Sequence, residues 1–118
     1  MTNTHGKGSR WRHDVERWFT DAGFATTVRG IGYQGDDVLV CRSARTTGLP
    51  MVSLRLSVEA KNHRELDLAG FVDQASRQAA DYDELTLPLV VAHRRGHARV
   101  DGAYCVMPGW AFIELVTR

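Results

Sequence analysis

The stretch Leu54-Arg55-Leu56-Ser57-Val58-Glu59-Ala60-Lys61-Asn62-His63 alternates apolar and polar residues from Leu54 through Lys61. Successive side chains on a strand point to opposite faces, so a period of two predicts a strand with one face in a core. The same period places Glu59 and Lys61 on one face, two residues apart. A carboxylate and an ammonium side by side at a strand end can serve as a metal ligand and a water-positioning group. They can equally form an ordinary surface ion pair, and the rest of the chain has to separate these readings.

Lysine usage bears on that choice. The chain has 15 basic side chains, and only Lys7 and Lys61 are lysines. Arginine is used wherever a positive charge alone is needed. An ammonium is a compact point charge whose proton affinity responds to burial, whereas a guanidinium stays charged. Lys61 is the interior exception, which favours a chemical role for it.

Outward from this strand the pattern is that of a layered α/β domain. Ser9 reads as a helix cap before Trp11, Val15, Trp18, Phe19 and Ala22 at helical spacing, with Gly23 as the stop. Residues 1–8 read as a flexible tail, and residues 9–118 as one domain. Phe24–Arg29 is a β-branched strand, and Gly30, Gly32 and Gly35 mark a turn. Asp36 and Asp37 open a second strand through Cys41, and 42–50 reads as a polar loop. Asp67 caps a second helix whose buried face is Leu68, Phe71, Val72, Ala75, Ala79 and Tyr82. Leu87–Ala92 is continuously apolar, as in a strand covered on both faces. A basic turn (His93, Arg94, Arg95, His97, Arg99), a strand at Ala103–Met107 and a helix carrying Trp110, Phe112, Ile113 and Val116 complete the chain. The order of helix, three strands, helix, two strands and helix predicts a mixed five-stranded sheet flanked by helices.

The 118 residues suffice for one modest core. A formal net charge of +1 means that any nucleic-acid partner must be held by a local basic surface. With no leader and no membrane-spanning run, the expected location is the cytoplasm. Cys41 and Cys105 sit in apolar runs and read as buried free thiols. The sequence has no Gly-rich phosphate loop, no Ser/His/Asp elbow and no His/Cys metal cluster, which argues against a small-molecule enzyme and a small-molecule cofactor.

The acid pair Asp36-Asp37, the triplet Glu59-Ala60-Lys61, the earlier helix acid Glu16 and the later Gln-bearing helix together resemble the PD-(D/E)xK nuclease superfamily. Within it the chain looks closest to Holliday-junction resolvases and small RecB-like nucleases of phages and bacteria. The motif segments are Gly35-Asp36-Asp37-Val38, Val58-Glu59-Ala60-Lys61 and Asp73-Gln74-Ala75, with Gln78 through Tyr82 similar to a RecB-type helix motif. The family's proline is replaced by Gly35, and either Asp36 or Asp37 can be the motif acid; Asp37 leads directly into the apolar strand. The resemblance implies a restriction-endonuclease-like core and a Mg²⁺-dependent endodeoxyribonuclease, with Mn²⁺ substituting, in a bacterial or phage-infected cell.

In that reading Asp37 (or Asp36), Glu59 and the Ala60 carbonyl hold the metal, since Mg²⁺ prefers oxygen donors. Glu16 binds a second metal or orients a water, Lys61 positions the nucleophile, and Gln74 hydrogen-bonds the water or a phosphate oxygen. Arg12, His63, Arg64, Gln78, Arg94, Arg95 and Arg99 are the DNA-binding candidates, giving salt-dependent affinity with little sequence preference. A four-way junction is the expected substrate and a two-fold homodimer the expected assembly, with Tyr104, Trp110 and Phe112 available for an interface or for the core. The alternatives are an exonuclease or a flap or duplex nuclease on the same fold, or a non-catalytic DNA-binding module.

Overall fold

The computed structural model describes residues 4–28, 37–46 and 49–118; the side chains of residues 4–8, 28, 37, 43–46 and 49–53 lie outside that description, as do Asp36 and the expected glycine turn. The elements are α1 (Thr4–Asp21), β1 (Ala25–Val28), β2 (Asp37–Thr46), β3 (Leu49–Lys61), α2 (Leu68–Tyr82), β4 (Leu87–Ala92), β5 (Tyr104–Val106) and α3 (Gly109–Thr117), with a 3-10 turn at Val100–Gly102. This is the order expected from the patterning. The five strands form one mixed sheet in the order β1-β2-β3-β4-β5. All neighbours are antiparallel except β3 and β4, which run parallel because α2 carries the chain back between them.

The alternation in β3 sorts the two layers. Leu54, Leu56, Val58 and Ala60 join Val38, Val40, Leu89 and Val91 in a core closed by Trp11, Val15 and Phe19 of α1. Each such side chain contributes about 1.5–3 kcal/mol by leaving water. The Trp11 indole N–H donates to the Val91 carbonyl at 3.1 Å and ties α1 to the sheet. On the opposite face Val90 and Ala92 of β4 pack under Phe71 and Ala75 of α2. β4 is buried at all six positions, as its continuous apolar run requires. Gly23 has φ +98, the left-handed conformation that stops α1.

Several expectations change. α1 begins at Thr4, within the stretch read as a tail, so Ser9 lies inside the helix rather than capping it. Once a helix is nucleated by a packed stripe, each further residue costs little, and polar residues can extend it. The loop expected at 42–50 is largely the tip of a long hairpin: β2 runs to Thr46 and β3 starts at Leu49, with a register shift between Arg42 and Ser43. Ladder hydrogen bonds satisfy the backbone there without an apolar pattern. β3 is not a half-buried strand, since Ser57 and Glu59 on its polar side are also fully buried. Cys41 and Cys105 are free, but neither is buried: Cys41 is half-buried and Cys105 is exposed on the edge strand. Trp110, Phe112, Ile113 and Val116 are each more than half exposed, and α3 buries Ala111 instead. Among the described residues no helix is long and apolar enough to cross a membrane.

The ends of α2 are fixed by two aspartates. Asp67 caps the N-terminus, accepting from the Gly70 N–H at 3.0 Å. At the other end Asp83 accepts from the Leu85 N–H at 2.8 Å and the Thr86 hydroxyl at 2.9 Å, and the Arg55 guanidinium of β3 donates to its second oxygen. The Thr86 hydroxyl is the main reason that the Asp83 carboxyl sits below its ordinary value; the Leu85 N–H and Arg55 act in the same direction, and partial burial opposes them. A carboxyl lowered on folding adds stability above its unfolded value and loses it as pH falls through the folded value. Asp83→Ala is expected to cost about 1 kcal/mol in urea unfolding at neutral pH. That difference should shrink when the measurement is repeated in acid below the ordinary carboxylate range.

Candidate functional site

β3 is the middle strand, so Glu59 has a strand on each side. The register places Asp37 of β2 directly across from it and Val90 of β4 beside it. Directly paired residues share a sheet face, and Val90 belongs to the cluster under α2. Glu59 is therefore on the α2 face, where it is 0% exposed. Lys61 follows on the same face, with its side chain 13% exposed and its Nζ 3.6 Å from Glu59 Oε2. That separation is an ion pair rather than a direct hydrogen bond. The Lys61 ammonium also lies 5.2 Å from the centre of the Phe71 ring, and the His63 ring is 5.1 Å from the same ring.

This burial excludes the surface ion pair that the sequence left open. Removing a carboxylate from water costs several kcal/mol, and a nearby ammonium offsets part of it. A buried charge pair at the mouth of a cleft is a recurrent feature of functional sites.

β3 and β4 end side by side, held by the His93 N–H donating to the Lys61 carbonyl at 2.8 Å. Beyond this point the two chains diverge and leave a cleft of about 590 Å³. Among the described residues its lining includes Asn62, His63, Arg64, His93, Arg94, Arg95 and Tyr104, and no carboxylate. The end of adjacent parallel strands is where α/β sheets open to ligands, because the connections leave in different directions. Gly96, at φ +84, lets the chain turn so that the His97 N–H reaches the Arg94 carbonyl at 3.0 Å. His93 is half-buried, edge-on to Trp11 at 4.8 Å.

The sequence candidates divide accordingly. Glu59, Lys61, the Ala60 carbonyl and, by register, Asp37 lie together at the end of β3; Asp36 is outside the described residues. His63, Arg64, Arg94 and Arg95 line the adjoining cleft. On α2, Gln78 is buried at 7% exposure, and Gln74, one turn earlier, is half-buried. Glu16 and Arg12 are on α1, which packs against the other face of the sheet. Glu16 pairs with His13 at 3.8 Å, and Arg12 reaches Ser9 Oγ at 3.5 Å. Arg99 lies away from the cleft, 3.9 Å from Asp101. Asn62, His93 and Tyr104 also line the cleft and Phe71 lies beside the Lys61 ammonium, although patterning assigned none of them a place in the site. Phe71 reads as an ordinary core residue, and only the β4–β5 pairing brings Tyr104 to the cleft.

Two carboxylate positions and a main-chain carbonyl on adjoining strands are hard oxygen donors, the type that Mg²⁺ takes, and they fit that ion. Among the described residues no group of three or more His, Cys, Asp or Glu side chains could hold a metal; that set does not include the Asp37 side chain. Comparison of the chain with protein-family models, curated proteins and solved structures found no match.

Lys61→Met is expected to destabilise the fold by about 3–5 kcal/mol, since it removes the ammonium beside a buried carboxylate. In a double-mutant cycle with Glu59→Gln, urea unfolding should give a coupling of about 1–3 kcal/mol. A coupling near zero would show that the two charges do not support each other.

Proposed function

We propose that the chain is a metal-dependent endodeoxyribonuclease of restriction-endonuclease-like fold that acts on branched DNA, with a four-way junction as substrate. The observation that supports this most is the buried Glu59–Lys61 pair at the end of β3, next in the chain to a cleft whose described lining includes arginines and histidines and no acid. In this reading Glu59, Asp37 and the Ala60 carbonyl hold Mg²⁺. Bound there, the ion supplies charge neutralisation at the scissile phosphate and acidifies a water.

The chain's own groups do the rest. Lys61 holds its ammonium 3.6 Å from the Glu59 carboxylate and is partly exposed, one residue before the cleft lining begins at Asn62. It orients the attacking water and stabilises negative charge that develops on the phosphate. Phe71 limits where the ammonium can go. Arg64, Arg94 and Arg95 hold flanking phosphates without reading bases. Gln74, on the flank of α2, remains available to hydrogen-bond a water or a phosphate oxygen. Glu16 sits on the helix against the opposite face and has no part in this scheme. The assembly is a two-fold dimer that presents two such clefts, and the exposed Trp110, Phe112, Ile113 and Val116 of α3 form the apolar surface for it.

The test is cleavage of a four-way junction, a flap and a linear duplex by the purified protein with Mg²⁺. Junction cleavage should dominate, and Glu59→Gln and Lys61→Met should each lower its rate roughly 100-fold or more. Cutting at wild-type rates by both variants would remove the site assignment; a preference for flaps or ends would change the substrate.

A second reading, a non-catalytic DNA-binding module, is favoured by one observation: Glu59 has no solvent exposure. Calorimetric titration with Mn²⁺ separates the two, since only the nuclease binds the ion through Asp37 and Glu59. In either reading, Arg94→Gln and Arg95→Gln should each reduce the slope of log binding constant against log salt by about one.

A further inference from the structure

We propose that the cleft takes a DNA branch or end at which a nucleotide is unpaired, and that Tyr104 seats the base of that nucleotide. The proposal rests on the nuclease reading only for the kind of polymer bound. Tyr104 pairs with Ala92, and Ala92 pairs with Lys61. These three residues therefore form one row across β5, β4 and β3, on the face covered by α2. Two strand spacings put the Tyr104 and Lys61 backbones about 10 Å apart. A nucleotide next to a phosphate held near Lys61 can reach the Tyr104 ring.

Core packing does not account for that ring. Tyr104 is 44% exposed and belongs to neither apolar cluster. It lines the cleft, and the Arg94 guanidinium lies over its ring at 5.5 Å. An arginine on an aromatic ring favours the cation through the ring quadrupole and restrains both side chains. The pair thus offers an aromatic surface and a phosphate-binding charge at fixed spacing. Exposed aromatics beside cations are how proteins hold single-stranded nucleic acid, and stacking on them tolerates any base. A base inside an intact duplex keeps both faces stacked on its neighbours, so it cannot use such a surface. The ring therefore selects DNA in which a base has left the stack, which supplies a structural preference without sequence readout.

Binding is measured by fluorescence anisotropy in EDTA, so that cleavage plays no part. The probes are a blunt hairpin duplex, the same hairpin with a short thymidine overhang, and that hairpin with the overhang made abasic. The two overhangs carry the same phosphates and differ only in their bases. The wild-type protein should bind the thymidine overhang about 10-fold more tightly than the abasic one. Tyr104→Leu should abolish that difference and Tyr104→Phe should keep it, each judged by the ratio of the two overhang affinities measured on the same protein, and far-UV circular dichroism matching the wild type reports that both fold. Arg94→Gln should weaken all three probes. Equal affinity for the two overhangs, or a preference that survives Tyr104→Leu, overturns the base seat while leaving DNA binding intact. No binding to any probe overturns the nucleic-acid reading itself, and this proposal with it.

Discussion

A carboxylate with no access to solvent is the constraint around which the α2 side of this molecule is arranged. Glu59 lies on the central strand, beneath α2, with Lys61 as its nearby cation. Every element around it limits how the pair can move. β4 closes one side through Val90, β2 brings Asp37 across on the other, and Phe71 stands beside the ammonium. The Arg55–Asp83 contact ties the C-terminal end of α2 back to the same strand, two turns of the pleat before Glu59. The layer is thus clamped where the buried charge needs it.

The parallel pairing of β3 and β4 gives the pair its outlet. Antiparallel neighbours can be joined by a tight turn that closes over the strand end. Parallel neighbours must send their chains apart, and the space between them stays open. Lys61 is the last residue of β3, so the buried ion pair lies immediately before the residues that line a cationic cleft. α1, with Glu16 and Arg12, covers the opposite face, and its residues contribute to the core rather than to the cleft.

The readability of these features differed by range. Period-two alternation in Leu54–Lys61, the continuous apolar run in Leu87–Ala92 and the Asp67 cap are local signals, and the elements follow them closely. The proximity of Glu59 to Lys61 was legible for the same reason, since a strand fixes residues two apart on one face. The long hairpin through Thr46 and Leu49 was not, because backbone pairing needs no apolar pattern. The exposure of the α3 side chains was hidden for the converse reason. Trp110, Phe112 and Ile113 look like core residues by composition, and only the packing of Ala111 against the sheet shows which side of the helix is covered.

By itself, the sequence determined the order and type of the elements, the mixed sheet with helices on both sides, and the neighbouring acid and lysine at the end of one strand. These depend on periodicity and on caps, which are properties of short segments. The tertiary structure alone decided that Glu59 is buried rather than exposed, that arginines and histidines from two separate loops line one cleft, and that Tyr104 stands in the same row as Lys61. Burial and convergence are produced by segments distant in the chain stacking on one another, and no local pattern encodes how deeply a given side chain will lie.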